Sequence, residues 1–232
     1  MVIMTISYIY FFSFIGLSSS CNDNLDCSLN GKCKNSNCIF DPPWSRSSCS
    51  ILEQAAVKYP QGYGQYPNLT SRGGSILTDP STGKHHLFVS ILTNNCPLSY
   101  WQTNSRIDHA VSENITGPYL FQDIAINTWS TNPAPIALAD GTFAIVHVGQ
   151  GDGPSNGGEH CSNDIQPHHE NMNIYGSTIH ISRSLSGPWK PLLDNTLGDC
   201  NNPSPWQHNN GSLFMVCAQE DHNVLKTAFS IS

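Results

Sequence analysis

Residues 112–146 read SENITGPYLFQDIAINTWSTNPAPIALADGTFAIV, and residues 182–216 read SRSLSGPWKPLLDNTLGDCNNPSPWQHNNGSLFMV. The landmarks of the first stretch return in the second at one offset of 70 positions. Ser112, Gly117-Pro118-Tyr119, Asn132-Pro133-Ala134-Pro135 and Asp140-Gly141-Thr142-Phe143 become Ser182, Gly187-Pro188-Trp189, Asn202-Pro203-Ser204-Pro205 and Asn210-Gly211-Ser212-Leu213. Apolar-rich runs close both copies, Ala144-Ile145-Val146 and Phe214-Met215-Val216. A repeat of this kind sets the architecture before any single motif is weighed.

Outward from the repeat, short apolar and β-branched runs alternate with Gly, Pro, Asn and Asp. They include residues 75–77, 86–92, 107–111, 136–138, 143–148, 174–181 and 213–216. None keeps a helical period over ten residues, and turn signals recur about every 8 to 15 residues, which is an all-β pattern. Sandwich strands do not repeat in sequence, whereas propeller blades do. The expected fold is therefore an all-β propeller, each blade four strands, with the innermost strand opening at the Asn-Pro motif. Blade one is expected over about 73–124, blade two over about 133–193, and blade three from about 203. An insertion, Gly149 to Asn173, makes the offset longer than one blade. The sequence reaches Ser232 within blade three, so a fragment with about two and a half blades is expected.

Composition narrows the partners. Charged residues make up 12 % of the chain, with 17 acidic against 10 basic and a net charge of −7, and no basic cluster exists to hold a phosphate backbone. Nucleic acid is excluded on that ground. Residues 1–20 carry no charge; Ile6 to Leu17 is mostly apolar, and Ser18-Ser19-Ser20 precedes Cys21. This pattern predicts a signal peptide over 1–20 and no membrane span in the mature chain. Asn68, Asn114 and Asn210 open glycosylation sequons. With nine cysteines, these features point to a secreted, extracellular glycoprotein.

Cys21, Cys27, Cys33 and Cys38 crowd a segment too short to bury a core, with Asn30-Gly31 as a turn between them. Residues 21–49 resemble an EGF-like module, whose six cysteines join first to third, second to fourth and fifth to sixth. The tail fits through Asp41-Pro42, Pro43-Trp44 and Cys49, but Phe40 stands where the fifth cysteine belongs. The resemblance implies Cys21–Cys33 and Cys27–Cys38, and leaves Cys49 free, bridged elsewhere, or marking a sequence variant. Such a module serves as a spacer or interaction element. Residues 50–69 read as a linker, and 70–232 as the incomplete propeller.

The Gly-Pro-aromatic blade ends, Asn-Pro openings and Asp-Gly-aromatic turns of residues 70–232 resemble the five-bladed propellers of glycoside hydrolase family 43 and its relatives. The resemblance implies a carbohydrate or glycoconjugate ligand and an inverting mechanism with two carboxylates, base and acid, plus an Asp that tunes the acid. All three would stand at the start of inner strands. The base position falls in Arg72-Gly73-Gly74-Ser75-Ile76-Leu77, where glycine stands in its place, the tuning position on Asn132 and the acid position near Asn201-Asn202. Asp79-Pro80 falls in the turn after the strand. None of the aligned positions carries a carboxylate, and a neutral amide cannot shuttle a proton.

The insertion offers substitute groups. Glu159-His160 and His168-His169-Glu170 are either acid–base candidates folded over the cavity or a polar surface loop. His147 is either a cavity residue or a satisfied structural histidine, and Asp108-His109 falls on a third strand, away from the axis. Trp101, Trp129 and Trp206, with Asn132, Asn201 and Asn202, are the ligand-binding candidates; each tryptophan can instead fill the core. Trp44 and Trp189 are expected to pack within the module and the blade end. Cys200 and Cys217 flank one hairpin and can bridge it, leaving Cys96 and Cys161 as a further pair. No metal or cofactor is expected, because Cys-x-x-Cys spacing is lacking. Two functions follow: a glycosidase-like protein acting on or binding a carbohydrate, or a non-catalytic adhesion protein with an extracellular protein partner.

Overall fold

The computed structural model describes residues 20–53, 62–63, 70–154, 161, 176–192, 197–198, 200–218 and 225–227, the last three as backbone only. The chain divides into two compact units, Met1–Val57 and Lys58–Ser232.

The first unit is stapled rather than packed. Strands β1 (Gly31–Lys34) and β2 (Asn37–Phe40) form a hairpin in which Cys33 faces Cys38. The two cysteines reach different partners, Cys21 and Cys27, so the hairpin is tied down from both sides. Each such short loop closure is worth roughly 3 kcal/mol in the chain-entropy account. A second hairpin joins β3 (Trp44–Ser45) to β4 (Ile51–Leu52). The core consists of Cys21, Cys27 and Cys49, with Cys33, Cys38 and Trp44 against it. Cys49 is a buried free thiol. Gly31 leaves it room: a Cβ there would meet the Cys49 sulfur at 2.8 Å and the Phe40 Cα at 2.9 Å.

The described residues of the second unit form three antiparallel sheets in chain order. The first takes β5 (Thr70–Thr78), β6 (His85–Leu92), β7 (Ser105–Ser112) and β8 (Leu120–Ile126). The second takes β9 (Thr131–Ala137), β10 (Phe143–Val148), β11 (Ser177–Ser182) and β12 (Lys190–Pro191). The third takes β13 (Asn201–Gln207), β14 (Leu213–Ala218) and β15 (Leu225–Thr227). Each sheet pairs only sequential neighbours, and both β5 and β13 lie against β9. Successive meanders with adjoining first strands are the arrangement of propeller blades.

The repeated motifs recur as repeated backbone. Gly117 and Gly187 sit at φ 82 and 75, each followed by a cis peptide to proline, a φ that only glycine adopts freely. Asp140 and Asn210 each accept a hydrogen bond two residues on, from the Thr142 and Ser212 amides at 2.9 and 3.0 Å. That side-chain turn is the physical content of the repeated Asp-Gly and Asn-Gly steps.

Strand β10 explains how sheets stack. Its residues alternate sides, so Ala144 and Val146 pack with Leu213 and Met215 of the third sheet. Ile145 packs with Phe88 and Ile107 of the first. A strand buried on both faces reads as a continuous apolar run, and Ala144-Ile145-Val146 is one. Trp189 sits edge-on to Phe88, ring centroids 5.4 Å apart, so this blade end packs across onto the preceding sheet. Two buried histidine pairs link second and third strands. The His86 and His109 rings stack, Nδ1 to Nε2 at 2.9 Å, and His147 Nε2 lies 2.9 Å from His180 Nδ1. His147 Nδ1 donates to the Val148 carbonyl, so the neutral ring's Nε2 must accept from His180.

Candidate functional site

All three inner strands are interrupted at the same place. The pairing register shifts between Arg72 and Gly74 in β5, between Val146 and Val148 opposite the start of β9, and between Asn201 and Ser204 in β13. The residues at these bulges, Gly73, Asn132 and Asn202, have φ of 46, 51 and 51. After glycine, asparagine is the side chain that tolerates this conformation best. Pro133 and Pro203 follow, and a bulge admits proline because no ladder N–H is required there. The bulge also re-aims the side chain at its crest.

The consequence is a chain of polar groups across three sheets. Arg72 Nη2 donates to Asn132 Oδ1 at 2.9 Å, and Asn132 Nδ2 donates to Asn202 Oδ1. A guanidinium can only donate, so it fixes the Asn132 oxygen toward itself and the amide nitrogen toward Asn202. Ser90 of β6 anchors the centre, accepting from the Asn132 amide at 2.8 Å and from Thr131 Oγ1 at 3.2 Å. Trp101 opens a helical turn, Trp101–Asn104, between β6 and β7, and its ring lies 6.0 Å from Arg72 Cζ. Thr93 and Asn104 brace the connection, with Thr93 Oγ1 donating to the Asn104 carbonyl at 3.1 Å. Cys96 is bridged to Cys161. Partial burial pulls Arg72 down from its ordinary value, but a guanidinium stays charged at any physiological pH.

The other candidates lie elsewhere. Trp206 is four residues beyond Asn202 on the same strand, about 13 Å along it. It stacks on Phe214, centroids 5.6 Å apart, and does not join the network. Trp129 precedes the Asn132 bulge at φ 59, its carbonyl accepting from Gly151 and its ring lying against Gly153. Asn201 opens β13 opposite Ala218. His147 is 0 % exposed and bound to Val148 and His180, so it reaches no cavity. Burial, then His180, holds its pKa down to about 3. Glu159, Glu170 and Asn68 lie outside the described residues. Asn114 and Asn210 stand exposed in turns. Cys200 and Cys217 are joined across the β13–β14 hairpin.

The nearby carboxylates are spent in turns and on the third and fourth strands. Asp79 accepts from Ser81 and Thr82 and is held at about 2 by those bonds. Asp108 is buried on β7, which pushes its pKa up; Arg106 Nε at 2.7 Å pulls the other way, and Tyr63 donates to it at 3.3 Å. Asp123 Oδ1 lies 3.3 Å from His109 Nδ1, at an angle that leaves this N–H without a hydrogen bond. Among the described residues no carboxylate joins the Arg72–Asn132–Asn202 chain. Sequence reasoning passed over Arg72 and Ser90. The available signal for Arg72 was its place one residue before the Gly-Gly step of an inner strand.

No protein-family model matches the chain, and no curated protein matches it. Solved structures do. A family 117 glycoside hydrolase of the marine bacterium Zobellia galactanivorans is 14 % identical with a TM-score of 0.48, over 72 % of this chain and 54 % of that one. A family 43 β-1,3-galactosidase is 12 % identical with a TM-score of 0.48, over 70 % and 58 %. An inulosucrase from Halalkalicoccus jeotgali is 15 % identical with a TM-score of 0.44, over 68 % and 41 %. The chain thus spans about half the length of the solved structures it matches. The likeness is one of fold, and the propeller assignment rests on the three sheets described above. No helix of the described residues is long and apolar enough to cross a membrane.

Proposed function

We propose that this chain is a secreted carbohydrate-binding protein of glycosidase-like architecture, which holds its ligand beside the inner-strand bulges without two-carboxylate hydrolysis. In this reading, residues 1–20 are a signal peptide, 21–49 an EGF-like module, 50–69 a linker and 70–232 the ligand-binding propeller, glycosylated at Asn68, Asn114 and Asn210. One observation carries the proposal: the linked amides of Asn132 and Asn202 stand where the resemblance calls for acids. An amide both donates and accepts, which suits sugar hydroxyls, but it cannot move a proton in acid–base catalysis. The partly exposed Trp101 beside Arg72 supplies an apolar face of the kind sugar rings stack on.

The test is a glycan array probed with the full secreted chain and with Asn132→Ala, alongside a hydrolysis screen on every glycan bound. Binding without turnover is expected, and Asn132→Ala should weaken it by roughly tenfold, the worth of one or two hydrogen bonds. Turnover lost on Glu159→Gln or Glu170→Gln would replace this reading with an active glycosidase. A blank array with selective capture of an extracellular protein would replace it with the adhesion reading.

A further inference from the structure

We infer that the ligand of this site is an acidic sugar, whose carboxylate or sulfate group pairs with the Arg72 guanidinium. The inference rests on the carbohydrate reading above and adds the chemical class of the ligand. Arg72 is half-buried on the first inner strand, held by the Asn132 amide oxygen at 2.9 Å and by the Trp101 ring at 6.0 Å. Both partners are uncharged. Among the described residues no carboxylate pairs with it, whereas Arg106 and Lys84 each have one, Asp108 at 2.7 Å and Glu113 at 2.8 Å. A cation drawn from water toward neutral groups gains most from an anion that arrives with the ligand.

Geometry points the same way. Gly73 follows Arg72 at the bulge, where a Cβ would stand 3.2 Å from Asn132 Oδ1. A side chain at that crest would crowd the polar chain, and an Asp there would neutralise the arginine from within the protein. Glycine leaves the cation to the ligand. The remaining guanidinium N–H groups form a planar fork that matches two oxygens of a carboxylate or sulfate. The chain as a whole carries −7, so a preference for acidic sugars cannot come from its overall field. It must come from a local positive group.

The experiment measures affinity of the full chain for three matched oligosaccharides: neutral, uronic-acid-containing and sulfated. One acidic form should bind at least tenfold more tightly than the neutral one, and whichever does so identifies the anion. Arg72→Gln, which keeps a donor for Asn132, should abolish that preference, so that the acidic and neutral forms bind that variant alike. Arg72→Lys should retain part of it and serves as the folded, charged control. Equal affinity for all three sugars, or a preference that survives Arg72→Gln, overturns the inference and leaves the carbohydrate reading standing. Absence of binding to all three removes both.

Discussion

Arg72, Gly73 and Asn132 make the site what it is, and a single carboxylate would change it. Gly73→Asp puts an acid beside the guanidinium at φ 46, a conformation that costs a non-glycine residue about 1–2 kcal/mol. The expected outcome is a modestly lowered melting temperature and loss of any preference for acidic sugars, read by thermal denaturation and titration calorimetry. Phe40 is the second telling residue. Its Cα and the Cys49 sulfur both approach the point where a Gly31 Cβ would stand, at 2.9 and 2.8 Å. Phe40→Cys should therefore close a bridge with Cys49. Thiol titration of the unfolded, unreduced protein would then fall from one free thiol to none; two free thiols would show that the bridge does not form.

Within the sheets, the histidine pairs make β10 and β11 sensitive to acid. Burial holds His147 at about 3 and His180 at about 4, both below the ordinary histidine value near 6.5. The neutral forms are the folded forms, so stability is full above about pH 6.5. It falls as the pH drops from there toward 4, because the unfolded chain takes up protons that the folded chain cannot. Between pH 7 and pH 5 each histidine should cost about 2 kcal/mol, seen as a lower urea midpoint. His147→Gln should flatten that dependence. A urea midpoint as pH-sensitive in His147→Gln as in the parent would locate the acid sensitivity elsewhere.

At the scale of the whole molecule, the second sheet holds the other two. Ile145 is wholly buried against Phe88 and Ile107, and Ala144 and Val146 are wholly buried on the opposite face. Ile145→Ala should lower stability by about 2–5 kcal/mol through the cavity it leaves. Because sheets one and two share that core, and β9 carries Asn132, glycan affinity should weaken in the same variant. An unchanged denaturation midpoint in Ile145→Ala would show that the interface between these sheets contributes little.

Much of this fold was legible in the residues. The Asn-Pro steps mark the openings of inner strands, the Asp-Gly and Asn-Gly steps announce turns, and short apolar, β-branched runs between turn signals mark the strands; these are demands on the local backbone, and the chain determines them by itself. The 70-residue repeat then counted the sheets. The site was legible only in part. Asn132 and Asn202 could be aligned because they share a backbone role, whereas Trp206, equally plausible on composition, stands at the far end of its strand on Phe214. Arg72 had only its place before the Gly73-Gly74 step as a local signature, and arginine fits any half-exposed strand position. Its meeting with Asn132 spans 60 residues and that of Asn132 with Asn202 spans 70. Only the stacking of sheets through Ile145 and its neighbours brings those side chains together, because convergence depends on long-range packing that no local propensity encodes.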